Sequence, residues 1–493
     1  MTDASAAIRA ELDKSYPGCP VLKRATITVR RGTVHALVGE NGAGKSTLVK
    51  ILAGVVEADG GTLEVDTRNV AVERWDRPAA RAAGIGIVQQ HGASAGTLSV
   101  VENAVLGIEG GPVLSLATPA DALAKLGEKI GLPIDPWATI ETLSLGAAQR
   151  AEIVAALYQG AKVLILDEPT AVLTPVEFEG LLARLRALAA EGTTIIIVTH
   201  KLDEVRAVAD DVTVLRAGET VATFSTTDAP LEIAAIARAM VGADLPAQVK
   251  VPAPDASAAV ALSVTDVKLG ELASATFEVR AGEIVGIAGV DGNGQRELAL
   301  AITGLGRGSG IVKIGSRDVS RASPAQRLAA GLAHIPEDRH HGGLVMSATV
   351  ADNLALGRTD LTGRFRIDRE RVGANAREQI EQLDIRPPVA GALVEALSGG
   401  NQQKVVVGRE LSRPGLVCVV AAQPTRGVDL GAVVRIHERL RAAALAGAGV
   451  LVISADLDEL LGLCHRIIVI LRGKLVGERT TRAELGALMT GAS

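Results

Sequence analysis

The sequence predicts two consecutive α/β domains, each a largely parallel sheet covered by helices. Three observations predict this. Short unbroken runs of Val, Ile and Leu, at Leu164–Leu166, Ile195–Val198 and Ile467–Ile470, suit strands buried on both faces. Alanine- and leucine-rich segments such as Leu181–Ala190 alternate with them and suit helices packed close on a sheet. Finally, the arrangement occurs twice. VHALVGENGAGKST at 34–47 is echoed by IVGIAGVDGNGQRE at 284–297, and LSLGAAQR at 143–150 by LSGGNQQK at 397–404. VLILDEPTAVLT at 163–174 is echoed by VCVVAAQPTRGVD at 417–429, and IIIVTHKLDE at 195–204 by VLVISADLDE at 450–459.

The spacing of the echoes sets the domain boundaries. Lys45 and Gln295 lie 250 residues apart, Ser144 and Ser398 254, and Asp167 and Ala422 255. So small a drift over a whole domain means duplication with loop insertions, not a short-period solenoid. The expected domains are 1–243 and 258–493, joined over 244–257 by a stiff, extended linker carrying Pro246, Pro252 and Pro254.

Composition narrows the function classes. Of 493 residues 48% are hydrophobic and 22% charged, which excludes wholesale disorder. A net charge of −5, with only two Trp, two Tyr and four Phe, argues against nucleic-acid binding by bulk electrostatics or base stacking. Cys19, Cys418 and Cys464 are too far apart for a metal motif or a disulfide framework, which points to a reducing cytosol. Ala442–Ala455 is uncharged but short of the roughly 18 residues a spanning helix needs, and reads as a helix end running into a buried strand. The N-terminus has no basic stretch followed by an apolar run, so no secretory signal is expected. If the protein works at a membrane, a partner must hold it there.

The chemistry begins at Gly39-Glu-Asn41-Gly42-Ala-Gly44-Lys45-Ser46-Thr47, which fits G-x-x-x-x-G-K-[ST] without mismatch. Its glycines let the backbone wrap phosphate oxygens, and the following helix aims its positive end at the anion. Lys45 then reaches the β- and γ-phosphates of a bound nucleotide, and Ser46 ligates Mg²⁺. The strand Leu164–Leu166 ends in Asp167 and Glu168, placing one carboxylate for the metal and a second for the attacking water. Alone, such a pair reads as a solvated strand end; behind a P-loop at this spacing the functional reading dominates. His200, closing the strand Ile195–Thr199, is as compatible with a core histidine as with a site residue.

With these residues in view the chain resembles the ATP-binding cassette family over nearly its whole length. LSGGNQQK and LSLGAAQR look like its signature motif, and Gln90 in IVQQH like its Q-loop glutamine, a ligand of Mg²⁺ and water. His200 is similar to its switch histidine, and Tyr16 to the aromatic that stacks on adenine. The resemblance implies two P-loop NTPase domains, each a RecA-like core with a helical subdomain, binding ATP and Mg²⁺. It also implies head-to-tail pairing, in which the signature of one domain caps the nucleotide on the other. Ser398, Gly399 and Gly400 would then close the site around Lys45.

The copies are chemically unequal. The second keeps Gly289 and Gly294 of the loop, but Gln295 and Arg296 replace Lys and Ser, Ala422 and Gln423 replace Asp and Glu, and Ala455 replaces His. Its lid would be Ser144, Leu145 and Gly146, with leucine in place of a glycine. One hydrolytic and one degenerate site per chain are expected.

Tandem cassettes with a degenerate second site resemble the importers of ribose, galactose, xylose and purine nucleosides. PEDRHHGGL at 336–344 is similar to a motif of that group, and VDGNGQRE, AAQPTRGVD and IVQQH lean towards its nucleoside branch. This implies two integral-membrane permease subunits, an extracytoplasmic solute-binding protein or lipoprotein, and a place on the cytoplasmic face of the membrane. Grooves over His91–Gly107 and His340–Gly357 would receive the permease; Leu98, Val100, Val101, Leu344 and Val345 there suit a docking surface or ordinary core equally. Glu337, Asp338 and Arg339 could also be a solvated charged loop, and His340 and His341 lack the third ligand of a metal site. The alternatives are a tandem-cassette ATPase acting on the ribosome or DNA, or a non-hydrolysing scaffold. Against the first stand the short proline-rich linker and unpaired cysteines, and against the second the intact Lys45, Asp167, Glu168 and His200.

Overall fold

The computed structural model describes the chain except residues 1–5, 17–18, 90–93, 109–114, 170–174, 243–250, 256, 291, 363–366 and 491–493. It divides into two compact units, Met1–Leu245 and Pro246–Ser493.

In the first unit the central sheet runs, edge to edge, Glu219–Ser225, Asp211–Arg216, Val34–Val38, Thr194–Thr199, Val163–Asp167 and Ile85–Val88. Its last five strands are parallel, with only Glu219–Ser225 antiparallel at the edge. Val34–Val38, Val163–Asp167 and Thr194–Thr199 are buried throughout, as their unbroken aliphatic runs require. A second, antiparallel sheet orders Cys19–Arg30, Ala6–Tyr16, Gly60–Val65 and Arg68–Val70. The expectation of a mainly parallel sheet did not include it, although Ala25-Thr-Ile-Thr-Val29 alternates buried and exposed, the period of a strand with one wet face. One core lies between this sheet, the helix Lys45–Leu52 and one face of the parallel sheet; another lies under the helices of its opposite face.

The second unit repeats the plan as one sheet of ten strands, in which Ser274 and Lys474 join the antiparallel part to the parallel part. Its parallel core orders Arg466–Leu471, Ile284–Ala288, Gly449–Ser454, Cys418–Ala422 and Leu332–Ile335. The apolar stretch after Arg441 resolves into the end of the helix Leu430–Leu445 and the fully buried strand Gly449–Ser454. Val251 packs on the core of the second unit and its carbonyl pairs with the His465 ring at 3.0 Å.

Candidate nucleotide site

In the first unit the strand Val34–Val38 lies beside Thr194–Thr199, with Val163–Asp167 next, so three loops meet at the carboxyl edge of the sheet. Ligands of open α/β sheets bind at that edge. A Cβ on Gly39 would stand 2.1 Å from the Leu215 carbonyl oxygen, so only glycine lets the loop leave the strand here. Gly44 begins the helix Lys45–Leu52 in the left-handed conformation, φ 102°, and no side chain caps its first turn. The Lys45 ammonium, nearly buried, donates to the carbonyls of Gly39 at 2.8 Å and Glu40 at 3.0 Å, folding over the loop it belongs to.

Ser46 Oγ donates to Asp167 Oδ1 at 3.4 Å. Burial and the neighbouring Glu168 raise the Asp167 carboxyl above its ordinary range, while the Ser46 hydrogen bond, Lys50 and Lys45 oppose them. A largely buried carboxylate facing a hydroxyl is a donor set that suits a hard cation such as Mg²⁺. Glu168 turns its backbone into the left-handed region, φ 50°, and its N–H donates to Val198 O at 3.0 Å. That turn brings its carboxylate within 3.1 Å of His200 Nδ1, and this contact holds the Glu168 carboxyl below its ordinary range. His200 is thus partly exposed at the sheet edge beside Glu168 and is not a core histidine. Tyr16 is exposed at the end of the strand Ala6–Tyr16, with Lys14 Nζ 5.7 Å from its ring centroid. Gln90 lies outside the described residues.

The second unit preserves the backbone but carries different side chains. Gly294 repeats the left-handed start of a helix, Gln295–Thr303, at φ 101°. Gln295 Nε2 donates back to the Val290 carbonyl at 2.9 Å, as Lys45 does to Glu40, while its Oε1 is buried with no partner among the described residues. A Cβ on Gly289 would stand 2.5 Å from that same Gln295 amide. Arg296 is exposed in the place of Ser46. Gln423 keeps the left-handed turn of Glu168, φ 46°, and its N–H donates to Ile453 O at 2.7 Å, but it faces Ala455 where the first unit has histidine.

The two signature segments each start a helix. Ser144 caps Leu145–Tyr158 by accepting from the Ala147 N–H at 3.3 Å. Ser398 precedes Gly399–Leu411 without capping it, and accepts instead from the Asn401 side chain at 2.9 Å. A Cβ on Gly400 would stand 2.8 Å from Asp429 Oδ2. Sequence reasoning missed what anchors these helices. Gln149 donates to the Pro169 carbonyl, and Gln403 to the Pro424 carbonyl at 2.8 Å, tying each signature helix to the loop after the strand of its own unit. The repeated Q in AAQR and NQQK was the available signal.

In the segments expected to receive a permease, Val100, Val101 and Leu344 are buried core, while Leu98 is partly exposed and Val345 exposed. Leu344 is thus no docking residue: an aspartate there would break the core of the second unit. Within 337–339, Asp338 is exposed as a solvated loop would have it, whereas Arg339 is half-buried and hydrogen-bonded across the unit.

Residues 22–171 and 272–419 each match the ABC transporter family. The chain belongs to that family. It is an ATP-binding ATPase, and each of its two units is an ABC cassette. Among similar proteins, the nucleoside import ATP-binding protein NupA of Lactococcus lactis is 41% identical over 95% of both chains. The glucose import ATP-binding protein TsgD13 of Haloferax volcanii is 40% identical over 97% of this chain and 94% of that one. The guanosine import ATP-binding protein NupO of Bacillus subtilis is 37% identical over 97% and 96%. A solved archaeal ribosome recycling factor aligns with a TM-score of 0.65 over 98% of this chain and 92% of its own, at 18% identity, which shows the fold alone. Among the described residues, no helix is long and apolar enough to cross a membrane.

Proposed function

We propose that this chain is the ATP-hydrolysing subunit of an importer of a nucleoside or sugar, with a nucleoside preferred, and that it has one hydrolytic and one degenerate site. The carrying observation is that Lys45, Ser46, Asp167, Glu168 and His200 converge at one sheet edge, whereas the other cassette has Gln295, Arg296, Ala422, Gln423 and Ala455 in their places. Tyr16 stacks on adenine, while the loop Gly39, Asn41, Gly42, Gly44 with Lys45 and Thr47 cradles the phosphates. Ser46 and Asp167, with Gln90, would hold Mg²⁺, which would neutralise charge on the nucleotide's phosphates. Glu168 orients and deprotonates the attacking water, and His200 holds Glu168 in place while sensing the γ-phosphate. The signature Ser398, Gly399 and Gly400 closes this pocket, and its uncapped helix start suits an anion. The Gln295 pocket, closed by Ser144 and Gly146, does not hydrolyse.

Two permease subunits and an extracytoplasmic solute-binding protein or lipoprotein complete the importer, and hold the chain at the cytoplasmic face of the membrane. NupA and NupO, relatives along almost the full chain, support a nucleoside as the preferred solute, and TsgD13, of similar identity, keeps a sugar as the alternative. With the permease bound, Glu168→Gln should cut ATP turnover by roughly 100-fold or more while ATP still binds, and Ser144→Ala should leave turnover near the native value. Near-full turnover in Glu168→Gln would falsify the assignment. Uptake of labelled guanosine by cells carrying the whole importer, set against ribose and glucose, tests the solute class.

A further inference from the structure

Cassette two lays an arginine against its own signature. After the strand Leu332–Ile335 the chain makes a one-turn π-helix, Arg339–Gly343. The Asp338 carboxylate fixes this turn, accepting from the N–H groups of His340 at 2.8 Å and His341 at 3.1 Å and pairing with the His341 ring at 2.7 Å. The turn directs Arg339 onto the helix Gly399–Leu411. Its Nε donates to Gln402 Oε1 at 3.3 Å and its Nη1 to the Arg426 carbonyl at 3.3 Å. His340 Nε2 shares Gln402 Oε1 at 2.9 Å, and Arg426 Nη1 donates back to Glu337 Oε1 at 2.6 Å. The network thus ties both flanks of the signature's first turn to the segment 337–340.

The glycine completes the fit. A Cβ on Gly399 would stand 2.6 Å from Arg339 Nη2, so the guanidinium fills the space that the missing side chain leaves. In cassette one the bulk lies on the other partner. Leu145 occupies the first helical position and is 68% exposed, while the fourth residue after the strand Ile85–Val88 is Gly92, where cassette two has Arg339. Gly92 itself lies outside the described residues.

We propose that Arg339 is a positioning residue for ATP hydrolysis. It holds the first turn of the cassette-two signature in the register that presents Ser398, Gly399 and Gly400 to the γ-phosphate. It makes that register depend on the segment 336–344. The inference rests on the reading that this signature closes the Lys45 pocket. Two hydrogen bonds from one planar group to Gln402 and Arg426 fix orientation as well as distance, and the charge sits beside a helix N-terminus that must receive a polyphosphate.

The test measures kcat and KM for Mg-ATP on the full chain. Arg339→Ala should lower kcat about tenfold with KM within about twofold of native, because geometry is lost and the nucleotide contacts of the Lys45 cradle are kept. Gly399→Ala, which displaces the guanidinium, should give a similar loss, and the double variant should be no worse than the poorer single. Ser398→Glu, which opposes the γ-phosphate with a carboxylate, is the control for the composite site. If Ser398→Glu keeps its turnover, the composite reading fails. If Ser398→Glu is inactive while Arg339→Ala retains native kcat, or if the two losses multiply in the double variant, the role of Arg339 fails. Should Arg339→Ala not fold, Arg339→Gln, which removes the charge and the fork, carries the same comparison.

Discussion

Gly39 and Gly42 stand three residues apart in one loop and are glycines for different reasons. At Gly39 a Cβ meets a backbone oxygen that cannot move, whereas at Gly42 it meets open space and only the torsion, φ 82°, opposes it. Gly39→Ala should therefore destabilise cassette one by about 3 kcal/mol or more, and Gly42→Ala by about 1 kcal/mol. The urea midpoint of cassette one measures both, and equal losses would contradict the steric argument. The left-handed turn at Glu168 recurs at Gln423, which has no carboxylate left to aim. A non-glycine residue in that conformation costs on the order of 1 kcal/mol, so the strain recurs where the carboxylate of the other cassette is gone. The N–H groups of both residues bond to the neighbouring strand, at Val198 and Ile453, and the sheet edge over-determines the turn.

At the scale of elements, the strands and helices were mostly legible and their anchors were not. The aliphatic runs marked the central strands because burial on both faces leaves no room for polar residues. The antiparallel sheet was missed because its alternation competes with the longer runs around it. The signature helix of cassette two is held by Gln403, itself buried, to a carbonyl 21 residues away. Gln403→Leu keeps the volume but strands the Pro424 carbonyl, and should cost about 1–3 kcal/mol in the cassette-two urea transition. If it is neutral, that tie carries no weight. Leu344 shows the opposite limit of pattern reading. Its segment suited either a docking groove or core, and only packing placed it among Leu354, Val405 and Val406 in the core cluster.

For the whole molecule, acid should weaken cassette one over a definite range. The His35 imidazole, buried in the strand before the P-loop and paired with Thr213 at 2.8 Å, is pushed down from 6.5 to about 4 by burial, against the pull of Asp211. The unfolded chain thus takes up a proton between those values that the folded chain refuses. Its stabilising contribution is complete above about pH 6.5 and is lost as the pH falls from there to about 4. The urea midpoint of cassette one should fall across that window, and His35→Gln should flatten the slope. An unchanged slope would assign the effect to other groups. His334 in cassette two, also pushed down to about 4 by burial, should give that cassette a similar slope.

Fold class, duplication and the inequality of the two nucleotide loops were all present in the linear text. Each is written in contiguous residues: a strand, its glycine turn and its helix start follow one another along the chain, so local geometry alone carries them. Tertiary structure decided what depends on which elements the sheet order brings side by side. Glu168 meets His200 across 32 residues, Gln403 meets Pro424 across 21, and Arg339 reaches Gln402 across 63. No periodicity records such meetings, because they are set by the packing of strands and helices and not by the spacing of residues along any one of them.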